Sequence, residues 1–209
     1  MSKVIIAGDA SGTGTFTISA PNGNTDRTLV LPDEAGTVLT SAGVPASAMP
    51  AGSVIQVVSV AKTDTFSWSG QEVWTSITGL AATITPSSAS SKILVQCVVM
   101  YGMQSTYNAL GLAMARNGTR TPIGDSDGAL RTEAFFGSDD LYGGGGANTG
   151  QATIAYLDSP STTSATTYQL QGVNTRDGET IYINRPVFDP NDRQAYRGVS
   201  TITVMEIAG

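Results

Sequence analysis

The sequence predicts an all-β protein, with an extended N-terminal β-arm followed by a β-sandwich, jelly-roll-like knob. Three observations carry that expectation. Charged residues make up 13% of the 209 residues, about half the ~25% of an ordinary globular chain, and Thr, Ser, Gly and Asn fill the gap. These residues favour turns and pleated surfaces over helices. No stretch sustains apolar spacing at the helical period. From residue 53 onward, β-branched runs alternate with turn residues at the spacing of a sandwich of about eight strands.

Residues 1–50 read as short extended pieces, Val4 to Ala7, Thr15 to Ser19, Thr28 to Leu31 and Thr37 to Thr40, divided by Gly, Pro, Asn and Asp. They hold too few apolar side chains for a core of their own. As strands in a monomer they would leave unpaired edges, which natural proteins avoid. Pairing with other chains resolves the conflict, so residues 1–50 are read as an intermolecular arm. The segment from Gly43 to Gly52, with prolines at 45 and 50, is its linker.

The knob is expected over residues 53–209. Ser53 to Ala61 is almost continuously apolar. Lys92 to Tyr101 places Ile93, Val95, Cys97 and Val99 on one face and Leu94, Val98 and Met100 on the other. That pattern predicts a central strand covered on both faces. Leu110 to Arg116 runs into Asn117-Gly118, a tight-hairpin signal. Gln151 to Leu157, Thr167 to Gly172, Thr180 to Asn184 and Ser200 to Ile207 supply further strands. Helix content is expected to be very low. Thr121 to Gly150 is the irregular part, rich in Gly and Asp, and a loop of that length is usually functional or flexible.

Composition excludes several function classes. With no histidine and a single cysteine, Cys97, the chain has no Ser-His-Asp or Cys-His arrangement, no His-based zinc site, no intrachain disulfide and no thiolate cluster. No cofactor, metal or catalytic residue is expected. A net charge of −6, with three dispersed lysines and eight scattered arginines, argues against nucleic acid as a partner. Ile93 to Ala115 carries no charge, but Gln96, Gln104, Ser105, Thr106 and Asn108 interrupt it. Two strands joined by a polar turn fit it better than a membrane span. The apolar run near the N-terminus is too short for a signal-peptide core, so neither targeting nor membrane insertion is expected.

The remaining motifs have bland and sharp readings. Gly143 to Gly146 lacks the Gly-Lys-Ser/Thr ending of a phosphate loop and reads as a hinge. Asp125, Asp127, Glu133, Asp139 and Asp140 put five carboxylates within sixteen residues. Their spacing is wrong for an EF-hand. A solvated loop held by Arg120 or Arg131 is preferred, with cation binding and a glycosidase-type acid pair as lesser alternatives. Asn117-Gly-Thr119 matches a glycosylation sequon and is read as a turn. Trp74, near Val73 and Ile77, is expected in the core. Trp68, between two serines, is expected on a loop, where burial under a neighbouring loop or subunit is preferred over stacking on a sugar. Cys97 reads as a buried small hydrophobe. The ligand candidates are therefore Trp68, Asp125, Asp127, Asp139, Asp140 and Tyr142. The candidates for particle or trimer attachment are Phe16, Ile18, Leu29, Leu31, Val38 and Leu39.

Two sets of segments resemble a known family. Ser11-Gly-Thr-Gly-Thr-Phe-Thr-Ile-Ser-Ala-Pro21, Arg27-Thr-Leu-Val-Leu-Pro32 and Gly36-Thr-Val-Leu-Thr40 resemble the N-terminal module of tailed-phage structural proteins. Gly79-Leu80, Thr85 to Val95, Arg116-Asn-Gly-Thr119, Leu157-Asp-Ser-Pro160, Thr167-Tyr168, Asn184-Arg185 and Ser200 to Ile207 resemble, in matching order, the sandwich head of phage fibre or virion structural proteins. Together the two sets cover most of the chain. The resemblance implies a homotrimeric, non-enzymatic virion protein of the fibre/knob type, with host-surface adhesion as its role. The alternative is a capsid decoration or cement protein that stabilises the head lattice, favoured by a length short for a fibre with a shaft. Implied partners are copies of itself, other virion proteins of capsid, neck or tail, and a host surface glycan; the implied location is the virion. No catalytic residue is carried over.

Overall fold

Alternating β-branched and polar residues build two antiparallel sheets in the computed structural model, which describes residues 11–14, 23, 28, 44–103, 110–125, 134–138, 149–191, 193 and 195–209. The chain divides into two units, Met1–Leu39 and Thr40–Gly209. The expected arm strands and the attachment candidates Phe16, Ile18, Leu29, Leu31, Val38 and Leu39 lie outside the described residues. In the linker, Ala46–Ala48 forms a single 3-10 turn. The Gly52 N–H donates to the Ala208 carbonyl, which carries the chain into the first strand.

Eleven strands follow: β1 (Val54–Lys62), β2 (Phe66–Trp68), β3 (Thr75–Ile84), β4 (Lys92–Met103), β5 (Leu110–Arg116), β6 (Thr119–Arg120), β7 (Phe136–Ser138), β8 (Gly150–Asp158), β9 (Thr166–Asn174), β10 (Ile181–Ile183) and β11 (Ser200–Ile207). The fold is an all-β sandwich. In the first sheet β4 is central, with β8 along one side. On the other side β11 and then β10 share its length, continued outward by β1 and β2 respectively. In the second sheet the order is β3-β9-β5, and β6 and β7 share the far side of β5. The Asn117-Gly118 turn joins β5 to β6 with both residues at positive φ, 49° and 88°, as the sharp two-residue hairpin requires.

The seven knob strands named from the sequence are all present, with ends shifted by a few residues at most. Four more appear, and β3 is the long one. Its alternation is broken by a register shift between Ser76 and Ala81, where Gly79 sits at φ +86°. The bulge makes room for a buried lysine, since a Cβ on Gly79 would stand 3.3 Å from Lys62 Nζ. β7 likewise puts a short strand inside the segment expected to be irregular.

Between the sheets lies one core, drawn from Ile77, Leu80 and Ile84 of β3, Leu112 and Met114 of β5, Leu170 of β9, Ile154 of β8 and Ile202 and Val204 of β11. The odd-numbered residues of β4 face it, Cys97 among them, and burial pushes the Cys97 thiol up to about 12. The expectation that β4 is covered on both faces is corrected for the single chain. Leu94, Val98 and Met100 are only half-buried, because none of the described strands lies over the middle of that face.

Three polar nodes, two of them centred on fully buried residues, fasten the frame. Asn184, fully buried at φ 62°, donates from Nδ2 to the carbonyls of Lys62 (2.8 Å) and Asp64 (2.9 Å) and accepts from Ser200 Oγ (2.6 Å). Ser200 Oγ in turn accepts from the Met100 N–H, so the node bridges the gap along β4 between β10 and β11. Glu206, fully buried at the core-facing end of β11, accepts from Gln56 Nε2 (2.6 Å), the Ser87 N–H (2.7 Å), Ser87 Oγ (2.6 Å) and Ser91 Oγ (2.8 Å). That pins the β3–β4 loop. Asp158 of the first sheet accepts from Arg116 Nη1 at 2.9 Å and from the Tyr168 hydroxyl at 2.7 Å. This joins the two sheets at one end, and burial first, then the bond to Asp158, pushes the Tyr168 hydroxyl well above its usual range.

Candidate functional site

Of the ligand candidates, Asp127, Asp139, Asp140 and Tyr142 lie outside the described residues. Asp125 is exposed. Trp68 is corrected: it lies on β2, not on a loop, and is 7% exposed. Its ring packs so closely on β9 that a Cβ on Gly172 would stand 2.5 Å from Trp68 Cζ2. It therefore offers no face to a sugar. The expected consequence is that Gly172→Ala, which forces the indole off its rotamer, costs about 1–3 kcal/mol in a urea titration.

Trp74 takes the surface position instead. It is half-buried, and the Arg120 guanidinium carbon lies 4.2 Å above its ring centroid. A stacked pair of this kind contributes about 0.5–1 kcal/mol at an exposed site. Val73 beside it is exposed and Ile77 fully buried, so Trp74, expected in the core, sits at its edge. Arg120, expected to hold the acidic loop, spends its planar face on the ring.

The roots of the long loop are firmly tied. The Thr121 N–H donates to the Met114 carbonyl at 2.8 Å, Gly124 to Ala134 at 3.2 Å, and Phe135 to Leu112 at 2.9 Å. Phe136 lies 6.1 Å from Tyr101 and Phe135 5.9 Å from Tyr156, between ring centroids. Residues 120–125 thus present a cation stacked on an aromatic ring, the exposed Ile123 and the exposed Asp125 from a hydrogen-bonded base. Among the described residues, no group of three or more His, Cys, Asp or Glu is placed to hold a metal ion. None of their helices is long and apolar enough to cross a membrane.

A second exposed feature escaped the sequence reading. The segment after β10 carries Phe188 and Tyr196, both exposed. Asp189 stiffens it by accepting from Arg197 Nη2 at 2.6 Å and from Arg185 Nη1 at 3.5 Å. Those bonds and charges, Arg197 first, hold the Asp189 carboxyl below the usual carboxylate range. Arg185 also lies 4.1 Å over the Tyr182 ring. The available signal was two aromatic residues isolated in a stretch rich in Pro, Asp, Asn and Arg.

No family model matches the chain, and no curated protein matches it in sequence. Among solved structures it is similar to that of infectious bursal disease virus Gt strain, at 16% identity and TM-score 0.40, over 76% of this chain and 39% of that one. It is similar also to the VP2 subviral particle of infectious bursal disease virus, at 16% identity and TM-score 0.36, over 73% of this chain and 37% of that one. The chain spans about two fifths of the length of these structures.

Proposed function

We propose that this chain is a non-enzymatic structural protein of a virion, anchored through residues 1–50 and displaying its sandwich as a trimeric knob for host-surface adhesion. The observation that carries the reading is where the phage-like segments fall in the fold. Ser87, Ser91 and Glu206, then Arg116, Asp158 and Tyr168, then Asn184 and Ser200 all belong to those segments. They build the three polar nodes. The resemblance is thus carried by residues that specify a frame, which is what a display protein must supply. Adhesion by many identical knobs needs only weak contacts, because effective concentration adds them.

The test is made on purified particles of the parent virus and on the isolated full-length chain. The reading expects the chain in the particle at a fixed stoichiometry, and expects the soluble chain to compete for adsorption to host cells. Absence from the particle overturns the virion assignment. Presence without competition, combined with loss of head stability when the chain is omitted, replaces adhesion by the cement role.

A further inference from the structure

We propose that the outer face of the β1-β11-β4-β8 sheet is a self-association surface that packs against a second copy of this chain. The inference does not need the virion reading, since it rests on the face alone. Strand register places Val57, Met205, Leu94 and Leu157 abreast across the four strands. Below that row the outward positions are Ser, Thr, Gln, Ala, Val and Met. From that row downward, three outward positions on β1, three on β11 and four each on β4 and β8 bear neither a charge nor an aromatic ring, while above it Lys92 puts a cation at the edge of the face. Val57 and Leu157 are 54% and 56% exposed. Toward the other end a hollow of about 400 Å³ opens between Val98, Met100, Gln151 and Val199.

Three considerations select a copy of the chain as occupant. The first is burial. A strand apolar on both faces belongs in a sheet covered on both sides, and β4 is such a strand with Leu94, Val98 and Met100 only half-buried on its outer face. A second copy of the chain, docked face to face, supplies that cover. The second is charge. Copies of a chain with net charge −6 repel one another at any acidic surface, and this face lets them meet without opposing like charges. Nucleic acid would require several cations on the face, and a glycan would favour an exposed aromatic platform; the four strands present a lysine at one edge, Lys92, already bonded to Ser159 Oγ, and no outward aromatic ring.

The third is size. Four strands about 4.8 Å apart and seven residues at about 3.3 Å per residue project a patch of roughly 19 by 23 Å. Two such patches, with side-chain relief counted, reach the roughly 1,000 Å² that a specific interface needs. The mixture of Leu, Val and Met with Thr, Ser and Gln also suits a like partner. The same residue types on the other copy supply both the apolar contacts and the hydrogen-bonding groups. Ser59 and Thr203 already share one such bond at 2.8 Å within the chain.

The full-length chain is measured by light scattering across micromolar concentrations, alone and with Val57→Glu plus Leu157→Glu. Both positions point to solvent in the single chain, so circular dichroism should match the unaltered chain, while melting at high concentration falls to that of the single chain. The proposal expects a multiple of the 21.5 kDa chain mass for the unaltered protein and an association constant lowered about 100-fold or more in the double variant. Val73→Glu, equally exposed but outside the face, should leave the mass unchanged.

Ala155→Cys supplies a readout that an assembly held by the N-terminal arm alone would not move. Cys97 is buried, so the introduced thiol reports by itself. It should label at least about 10-fold more slowly in the assembled protein than after dilution to the single chain. If the double variant misfolds, this labelling decides. A single-chain mass at every concentration, an unchanged mass in a folded double variant, or equal labelling rates overturns the proposal.

Discussion

Replacing Asn184 with Ala is expected to destabilise the sandwich by about 3–4 kcal/mol, a large share of the roughly 5–15 kcal/mol that holds a domain together. Asn184 is fully buried, and its side chain donates to two carbonyls and accepts one hydroxyl. Each bond contributes about 1 kcal/mol net, and each group left bare in the interior costs more. The residue sits at φ 62°, where an L-residue other than Asn, Asp or Gly adds about 1–2 kcal/mol of strain. Asn184→Gly separates the two effects, since it removes the bonds and keeps the backbone. Asn184→Asp is the more discriminating change. It turns a carboxylate oxygen toward the carbonyls of Lys62 and Asp64, which only a protonated oxygen can satisfy. Its folded pKa is therefore raised, and its deficit against the unaltered chain should shrink as pH falls toward the acid range. A deficit that stays constant with pH in chemical denaturation would show that the two carbonyls do not face this side chain.

Much of the frame was legible because it depends on short-range pattern. Leu110 to Arg116 and Ser200 to Ile207 match β5 and β11 residue for residue, since clean alternation and the Asn117-Gly118 turn are local signals. What escaped depends on long-range pairing. Phe66 to Trp68 reads as loop between polar neighbours, and becomes a strand only because Ile181 to Ile183 lies beside it. Thr75 to Ile84 loses its alternation at Gly79, whose reason is a lysine seventeen residues earlier in sequence. The same holds for the tryptophans. Trp68 is buried as preferred, but on a strand against Gly172 rather than on a loop, and Trp74 is half-buried beneath Arg120 rather than in the core, so flanking residues misplaced both. The resemblance drew on the node residues without revealing their bonding, because Glu206, Ser87 and Ser91 look like ordinary surface polar residues until the strands meet.

Glu206 carries the second large effect. Strand alternation puts it in line with Ile202 and Val204, facing inward, where a lone carboxylate is costly. Burial pushes its pKa up, but the bonds from Gln56, Ser87 and Ser91 outweigh that and leave it net below its ordinary value of 4.5. A depressed folded pKa means that the unfolded chain binds the proton more readily. The stabilisation is therefore fully present above about pH 4.5 and is lost as pH falls through the lower folded value. Glu206→Ala should cost about 3 kcal/mol at neutral pH, because it strands the Ser87 N–H and releases the β3–β4 loop. Glu206→Gln should cost less, since its amide oxygen can still accept from the serines. Its amide nitrogen then faces Gln56 Nε2, which already donates to the Thr85 carbonyl, so donor meets donor. With Gln in place the group no longer titrates, and the difference in stability between the two proteins should narrow as pH drops below 4.5. Urea titrations of both proteins from neutral to acid pH check this. A gap that stays level or widens would mean the carboxylate is not held ionised by this cluster.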